Sequence, residues 1–271
     1  MEATMKLDRP LTLDRAMARA GSIAGIAGVL AYFGAAFVPA PDPVSRLLAF
    51  AFGPLLAVSF LGLFHLLARH RDGPALRFGV AFGLMAGVAV TTMLVVQVGN
   101  NMVLSSQLLA ADGPAAAEAA RQLHQSVNRV QYLMDVVWDI FITSAGALVG
   151  WAMLRHPCFG RVWGGSGIAA SVLLLYLNLG TFPRGPAYAG SVDVGPLLAV
   201  WFLAVYARGL WLSRPGSPLF QPHAQDGVAG PDTPGGVDAL HASASAGARG
   251  ATPGASRNRA STRTGAGNSN R

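Results

Sequence analysis

Charged residues are scarce in this 271-residue chain: Asp, Glu, Lys and Arg make up 12% of it, whereas 52% of its residues are hydrophobic. A soluble domain of this size needs about a quarter of its residues charged. The shortage of charge therefore argues against a soluble enzyme and indicates an integral membrane protein, for which a mean hydropathy of +0.42 is typical.

Cysteine and lysine are also rare. The single cysteine, Cys158, excludes an intramolecular disulfide, a Cys-rich zinc site and an iron–sulfur cluster. One of the 20 basic residues is lysine and the rest are arginine, and they outnumber 13 acids. In a membrane protein such an excess usually encodes orientation, so we expect no nucleic-acid partner, and no motif in the chain predicts a cofactor or a metal.

Long apolar runs are abundant. A membrane-spanning helix needs roughly 20 mainly apolar residues, because it rises about 1.5 Å per residue across about 30 Å of hydrocarbon. Six segments meet this requirement, which predicts an all-α, polytopic bundle of six transmembrane helices in the lipid bilayer. The predicted spans are Gly21–Pro39, Leu47–Ala68, Phe78–Gly99, Val130–Leu154, Gly165–Phe182 and Val194–Leu212.

The end of the chain has a different composition. From about residue 214 it is rich in Gly, Ala, Ser, Pro, Thr and Arg, with too few apolar residues to offset the entropy of ordering. We therefore predict three regions: a cytoplasmic N-terminal segment (1–20), a transmembrane domain (21–213) and a disordered basic tail (214–271).

The basic residues beside the spans predict the orientation. With a cytoplasmic N-terminus, eleven basic residues up to and including Arg214 lie on the cytoplasmic side and four on the other. This bias predicts that both termini lie in the cytoplasm. The alternative, a signal peptide cleaved after Ala40, fits less well, because the first span exceeds the usual hydrophobic region and Pro41 would follow the cut.

The segment Asn100–Arg129, between the third and fourth spans, is the longest connection in the predicted domain. We expect it outside the membrane, with a short surface helix after the break at Asp112-Gly113-Pro114. Such a helix would either cover the outer face or serve only as a connector.

Glycines recur at four-residue spacing within three of the spans. In lipid, close packing through small residues holds helices together, so we interpret these positions as contacts inside the bundle rather than as a dimer interface. They are Gly21 and Gly25, Gly79, Gly83 and Gly87, and Gly146 and Gly150.

The fourth span carries two carboxylates, Asp135 and Asp139, on one helical stripe. A carboxylate near the bilayer centre costs about 2.5–3.5 kcal/mol, so this stripe must face protein or a wet cavity. Other polar residues fall at the same outer level, which predicts an outward-facing polar pocket among the third, fourth, fifth and sixth helices. The candidate ligand-binding residues are Asp135, Asp139, Asn100, Asn101, Asn178, Arg184, Asp193 and Trp138. The alternative is a buried hydrogen-bond network that only fixes the helix register.

The pocket allows several functions. The carboxylates could bind or carry a small polar solute, a cation or protons. A non-catalytic partner or sensor protein is the alternative, and an intramembrane enzyme is the weaker one, since no hydrolase motif occurs. Gly164-Gly165-Ser166-Gly167 superficially resembles the rhomboid protease motif, but the sixth span has no histidine. His65, His70 and His156 lie near the cytoplasmic face, where a haem or metal site competes with a purely structural role.

Several short motifs carry a family resemblance: Trp138-Asp139-Ile140-Phe141, Asn178-Leu179-Gly180-Thr181-Phe182-Pro183 and Asp193-Val194-Gly195-Pro196, with Arg155-His156-Pro157 between the first two. They resemble a family of small bacterial six-span membrane proteins known only as a domain of unknown function. The resemblance covers about residues 15–213 and implies an inner-membrane location without implying an activity. This chain departs from the pattern at Arg184 and Gly185, where a Pro-rich stretch is usual.

Overall fold

Six helices make up most of the described part of the protein in a computed structural model. The described residues are 2–37, 42–183, 192 and 194–220, with side chains from residue 11 onward except at 36 and 218. The helices are α1 (Glu2–Phe37), α2 (Asp42–Ala68), α3 (Pro74–Ala110), α4 (Pro114–Met153), α5 (Gly160–Thr181) and α6 (Gly195–Leu212). Each contains a stretch long and apolar enough to cross a membrane, which confirms the six-span prediction.

The helices pack as a ring in chain order. Each helix packs against the next, α6 returns to α1, and α2 also contacts α6. We call the end that holds the α3–α4 turn the hairpin end. The opposite end, with the 69–73 and 154–159 connections, is the terminal end. The hydrophobic core contains Phe60 and Phe202, whose rings meet edge to face with centroids 5.5 Å apart.

The predicted glycine positions lie where helices approach each other most closely. Gly21 of α1 contacts Gly62 of α2 directly through the backbone, and Gly83 of α3 faces the Phe60 ring. Gly150 of α4 faces the backbone of Gly164 in α5, 2.8 Å from its carbonyl oxygen if a Cβ atom were added. All of these are contacts between different helices of the same chain, as expected for packing inside the bundle.

The prediction for the connection between the third and fourth spans is wrong in one respect. Asn100–Arg129 is not a loop with a separate short helix, because α3 and α4 continue through it as a helical hairpin with its turn at 111–113. The Ala-rich run after Pro114 favours a helix, and Gly113 at φ +93° turns the chain. The hairpin therefore continues past the start of α2, whose Arg46 contacts Met102 of α3 about two helical turns before α3 ends.

The described fold also continues past the predicted boundary at residue 213. A short 3₁₀-helix, Pro218–Phe220, packs beside α1, and the Phe220 side chain is only 8% exposed. Phe220 belongs to the hydrophobic core cluster. The remainder of the predicted tail, residues 221–271, lies outside the described residues.

Candidate functional site

A cavity of about 630 Å³ lies at the hairpin end, between α1, α2, α3 and α4. The predicted pocket was placed among the third to sixth helices; the observed cavity shares α3 and α4 with that prediction but is completed by α1 and α2 instead of α5 and α6. The polar and aromatic lining comes from all four helices. These residues are Tyr32, Asp42, Ser45, Arg46, Gln97, Asn101, Ser105, Gln131, Tyr132 and Asp135.

The charged groups of the cavity are two carboxylates and one guanidinium. Arg46 Nε donates a hydrogen bond of 3.1 Å to the Asp42 backbone carbonyl, and a second guanidinium nitrogen lies 3.9 Å from the Asp42 carboxylate. The Asp42 side chain is 91% exposed, so this pair lies at the mouth. Asp135 lines the cavity from α4 and is half-buried. With all three groups ionised, the lining carries a net negative charge.

Aromatic rings connect the cavity to the bundle interior. Tyr32, in the lining, has its ring centroid 4.9 Å from that of Phe52, and Phe52 contacts Trp138 edge to face at 6.3 Å. Trp138 Nε1 is buried without a hydrogen-bond acceptor among the described residues. Aromatic faces beside carboxylates favour cations, because the negative face of the ring and the anionic charge act together.

The α4 stripe faces protein, as predicted. Gln131, Asp139 and Thr143 are each less than 10% exposed, and Asp135 is half-buried. Thr143 Oγ1 donates a hydrogen bond of 2.5 Å to the backbone carbonyl of Asp139. Asp139 is therefore enclosed in the bundle one turn below Asp135 and does not line the cavity.

The other candidate residues lie in different parts of the bundle. Asn101 lines the cavity, whereas Asn178 is buried in α5 and donates to the Leu174 carbonyl, 3.1 Å away. Trp138 lies beneath the cavity in the aromatic contact described above. Arg184 and Asp193 lie outside the described residues, so the structure does not place them.

Asn100 belongs to a separate network at the base of the hairpin. Its amide donates to the His124 backbone carbonyl at 3.1 Å and to Asn128 Oδ1 at 2.9 Å. The Asn128 amide nitrogen lies 3.0 Å from His124 Nε2. This network joins α3 to α4 beside the cavity, next to the lining residue Asn101.

Sequence reasoning missed Tyr32, Asp42 and Arg46. They lie at the hairpin ends of α1 and α2, beside the short 38–41 connection. The predicted topology places that connection on the same side as the α4 carboxylates. Equal depth from the outer membrane boundary was therefore the signal that could have found them. The prediction instead combined the α4 stripe with polar residues beside α5 and α6.

The terminal end holds the predicted histidines. His65 Nδ1 lies 2.9 Å from Asp14 Oδ1, and Arg69 lies 3.6 Å from the other oxygen of the same carboxylate. His70 and His156 meet edge to face, with ring centroids 5.3 Å apart. Burial, with the neighbouring His70 as a second cause, lowers the pKa of His156 to about 4.

Two further groups bear on the weaker hypotheses. Ser166, in the glycine-rich run at the start of α5, donates to the Trp163 carbonyl at 3.1 Å, as an ordinary helical serine does. Within the described part of the chain, no three His, Cys, Asp or Glu side chains are grouped closely enough to hold a metal ion.

Comparisons with protein families, with characterised proteins and with solved structures found no match to this chain.

Proposed function

We propose that this protein is a bacterial inner-membrane protein that binds a small polar cation from the outer side, in the cavity at the hairpin end. The observation that supports the proposal most directly is the composition of the cavity lining. Asp135 and Asp42 outnumber Arg46, amide groups surround them, and the rings of Tyr32 and Tyr132 complete the walls.

The size and chemistry of the cavity favour an organic cation over a bare metal ion. A volume of about 630 Å³ is in the range of small-molecule sites and far exceeds one metal ion with its ligands. An ammonium group would contact the Asp135 carboxylate, the amides would fix its hydration, and a tyrosine ring would face its apolar substituents. The class of ligand we expect is a small primary or quaternary amine.

The proposed orientation has both termini in the cytoplasm and the hairpin outside. It follows from the excess of basic residues at the terminal end and from the even number of spans. A cysteine introduced by Ala115→Cys, at the start of α4, would be labelled by a membrane-impermeant reagent added outside intact cells. Labelling from the cytoplasmic side alone would contradict this orientation.

Binding can be tested with purified protein and a panel of organic ammonium cations, such as choline, tetramethylammonium and ethanolamine, with sodium and potassium salts for comparison. The measurements are thermal stabilisation and quenching of tryptophan fluorescence. We expect an amine to stabilise the wild type, because a ligand that binds only the folded state raises its stability. Asp135→Asn should weaken that binding by about 10- to 100-fold, the effect of one lost charged hydrogen bond.

Glu118→Gln is the matched control, since it removes one carboxylate from the same helix at an exposed position near the hairpin turn. It should leave amine binding unchanged. Equal binding in Asp135→Asn and Glu118→Gln, or no stabilisation by any cation in the panel, would contradict the proposal.

A non-catalytic sensor or partner protein is the second candidate, and the α3–α4 hairpin favours it. The hairpin extends beyond the shorter helices, and the Asn100, His124 and Asn128 network joins its two helices beside the cavity. Ligand binding could therefore change the hairpin's position. Amine-dependent protection of 98–128 from hydrogen exchange, without amine uptake by proteoliposomes, would favour a sensor over a transporter.

A further inference from the structure

The terminal end contains a second cavity, of about 410 Å³, between the end of α4 and the start of α3. We propose that it binds the phosphate of an anionic phospholipid headgroup. This site lies at the end of the bundle opposite the cavity proposed above and does not depend on that function.

The lining of this cavity is basic. Arg71, Arg155 and His70 contribute to it, and no Asp or Glu is among its lining residues. The nearby Asp72 is engaged elsewhere, since Arg77 Nε and a terminal guanidinium nitrogen donate hydrogen bonds of 2.9 and 2.6 Å to its two carboxylate oxygens. The hydrogen bonds from Arg77 lower the pKa of Asp72, so it stays ionised and paired.

Neither Arg71 nor Arg155 has a carboxylate within 4.0 Å in the part of the chain that the structure describes. Both side chains are exposed and bring like charge to one cavity, so an anion bound there could contact two guanidinium groups. Arginine is the side chain best suited to that anion, because its planar set of donors matches phosphate oxygens.

The backbone adds donors at the same place. Helix α3 begins at the cavity with Gly73 as N-cap and Pro74 in its first turn, and no side chain caps this end. The first amide groups of a helix have no acceptor within the helix, and the helix dipole favours an anion there. The amides of Ala75 and Leu76 are therefore available beside the two arginines.

The remaining wall of this cavity is apolar, which favours a lipid over a soluble phosphate. Trp151 lines the cavity and is 65% exposed, and Ala152 and Leu154 continue the apolar surface along the end of α4. A tryptophan at the end of a spanning helix is typical of the membrane interface, where its ring contacts lipid. Basic pockets of this kind between helix ends suit an anionic headgroup whose acyl chains lie along the apolar helix surface.

The proposal can be tested with the full chain in a neutral detergent, titrated with phosphatidylglycerol, phosphatidylcholine or inorganic phosphate. The readouts are lipid adducts in native mass spectrometry and the melting temperature. We expect phosphatidylglycerol to bind and stabilise the wild type, and phosphatidylcholine to do so much less. Arg71→Gln with Arg155→Gln should weaken phosphatidylglycerol binding by about tenfold or more, because two charged contacts are lost.

The control is Arg19→Gln with Arg161→Gln, which removes the same charge from two exposed arginines that do not line the cavity. It should bind phosphatidylglycerol as the wild type does. A response to inorganic phosphate that matches phosphatidylglycerol and is lost with Arg71 and Arg155 would retain the phosphate site but assign it to a soluble ligand. Equal loss of binding in both double variants, or no loss in either, would overturn the proposal.

Discussion

The contact between Gly21 of α1 and Gly62 of α2 gives the sharpest prediction about the bundle. A Cβ atom at position 62 would lie 3.0 Å from the Met17 carbonyl oxygen, 3.1 Å from the Gly21 carbonyl carbon and still closer to Gly21 Cα. These atoms belong to the backbone of α1, so no side-chain rotation can relieve the overlap. Gly62→Ala must therefore move one helix away from the other.

The size of the effect follows from that movement. Ordinary contact needs about 3.4–4 Å between carbon atoms, so the helices must separate locally by about 1 Å. A gap of that size forfeits a quarter to a half of the dispersion energy of neighbouring contacts, and overpacking typically costs about 1–3 kcal/mol. In lipid, packing is the main force between helices, so we expect the upper part of that range and a melting temperature lower by roughly 5 °C or more.

Gly165→Ala provides the control, because it is also a helical glycine but a Cβ atom there would meet nothing within 4 Å. Alanine should stabilise α5 at this position by about 0.5–1 kcal/mol through its higher helix propensity. The assay is the melting temperature of both variants in one detergent, read by size-exclusion chromatography after heating. If Gly62→Ala were as stable as Gly165→Ala, the close α1–α2 approach would be refuted.

Three further predictions concern the terminal end and the tail. Phe220→Ala should lower stability by about 2–4 kcal/mol, because the ring is 8% exposed in the core cluster, whereas deleting 224–271 should leave the melting temperature nearly unchanged. The contribution of His156 to stability should be fully present above about pH 6.5 and should be lost as the pH falls towards about 4, because the unfolded chain binds a proton at His156 before the folded chain does. His156→Asn should reduce this dependence of the melting temperature on pH. Arg208→Lys should destabilise by about 1–2 kcal/mol, measured by the same melting assay, because lysine cannot both donate through a planar group to the backbone and lie over the Trp163 ring.

The number of helices and the glycine positions at which helices approach each other could be predicted, because both depend on local sequence patterns. Twenty apolar residues have one stable arrangement in a bilayer, since every backbone group must form a hydrogen bond within the segment. Glycines at four-residue spacing lie on one side of a helix, and Gly83 and Gly150 do face neighbouring helices. Neither inference requires knowing which helices are neighbours.

The walls of the cavity depend on which helices are neighbours, and the sequence pattern does not reveal this. The stripe with Asp135 and Asp139 was correctly expected to face protein, but its period does not say whether α1 or α5 lies opposite. In the ring of helices, α4 shares the cavity with Tyr32 of α1 and Arg46 of α2. The two carboxylates therefore differ in environment: Asp135 lines the cavity, whereas Asp139 is enclosed in the bundle. Phe220 was missed for a related reason, since one aromatic residue in a polar stretch has no periodicity to reveal its burial.

The interior below the cavity bears on the choice between binding and transport. Phe60, Phe202 and Val149 are each less than 5% exposed and fill the core between the two ends. The cavity at the hairpin end is acidic, whereas the one at the terminal end is basic, so a cation moving between them would leave a favourable potential for an unfavourable one. Transport through the bundle would require a second packing of this core, whereas the proposed binding at the hairpin end would not.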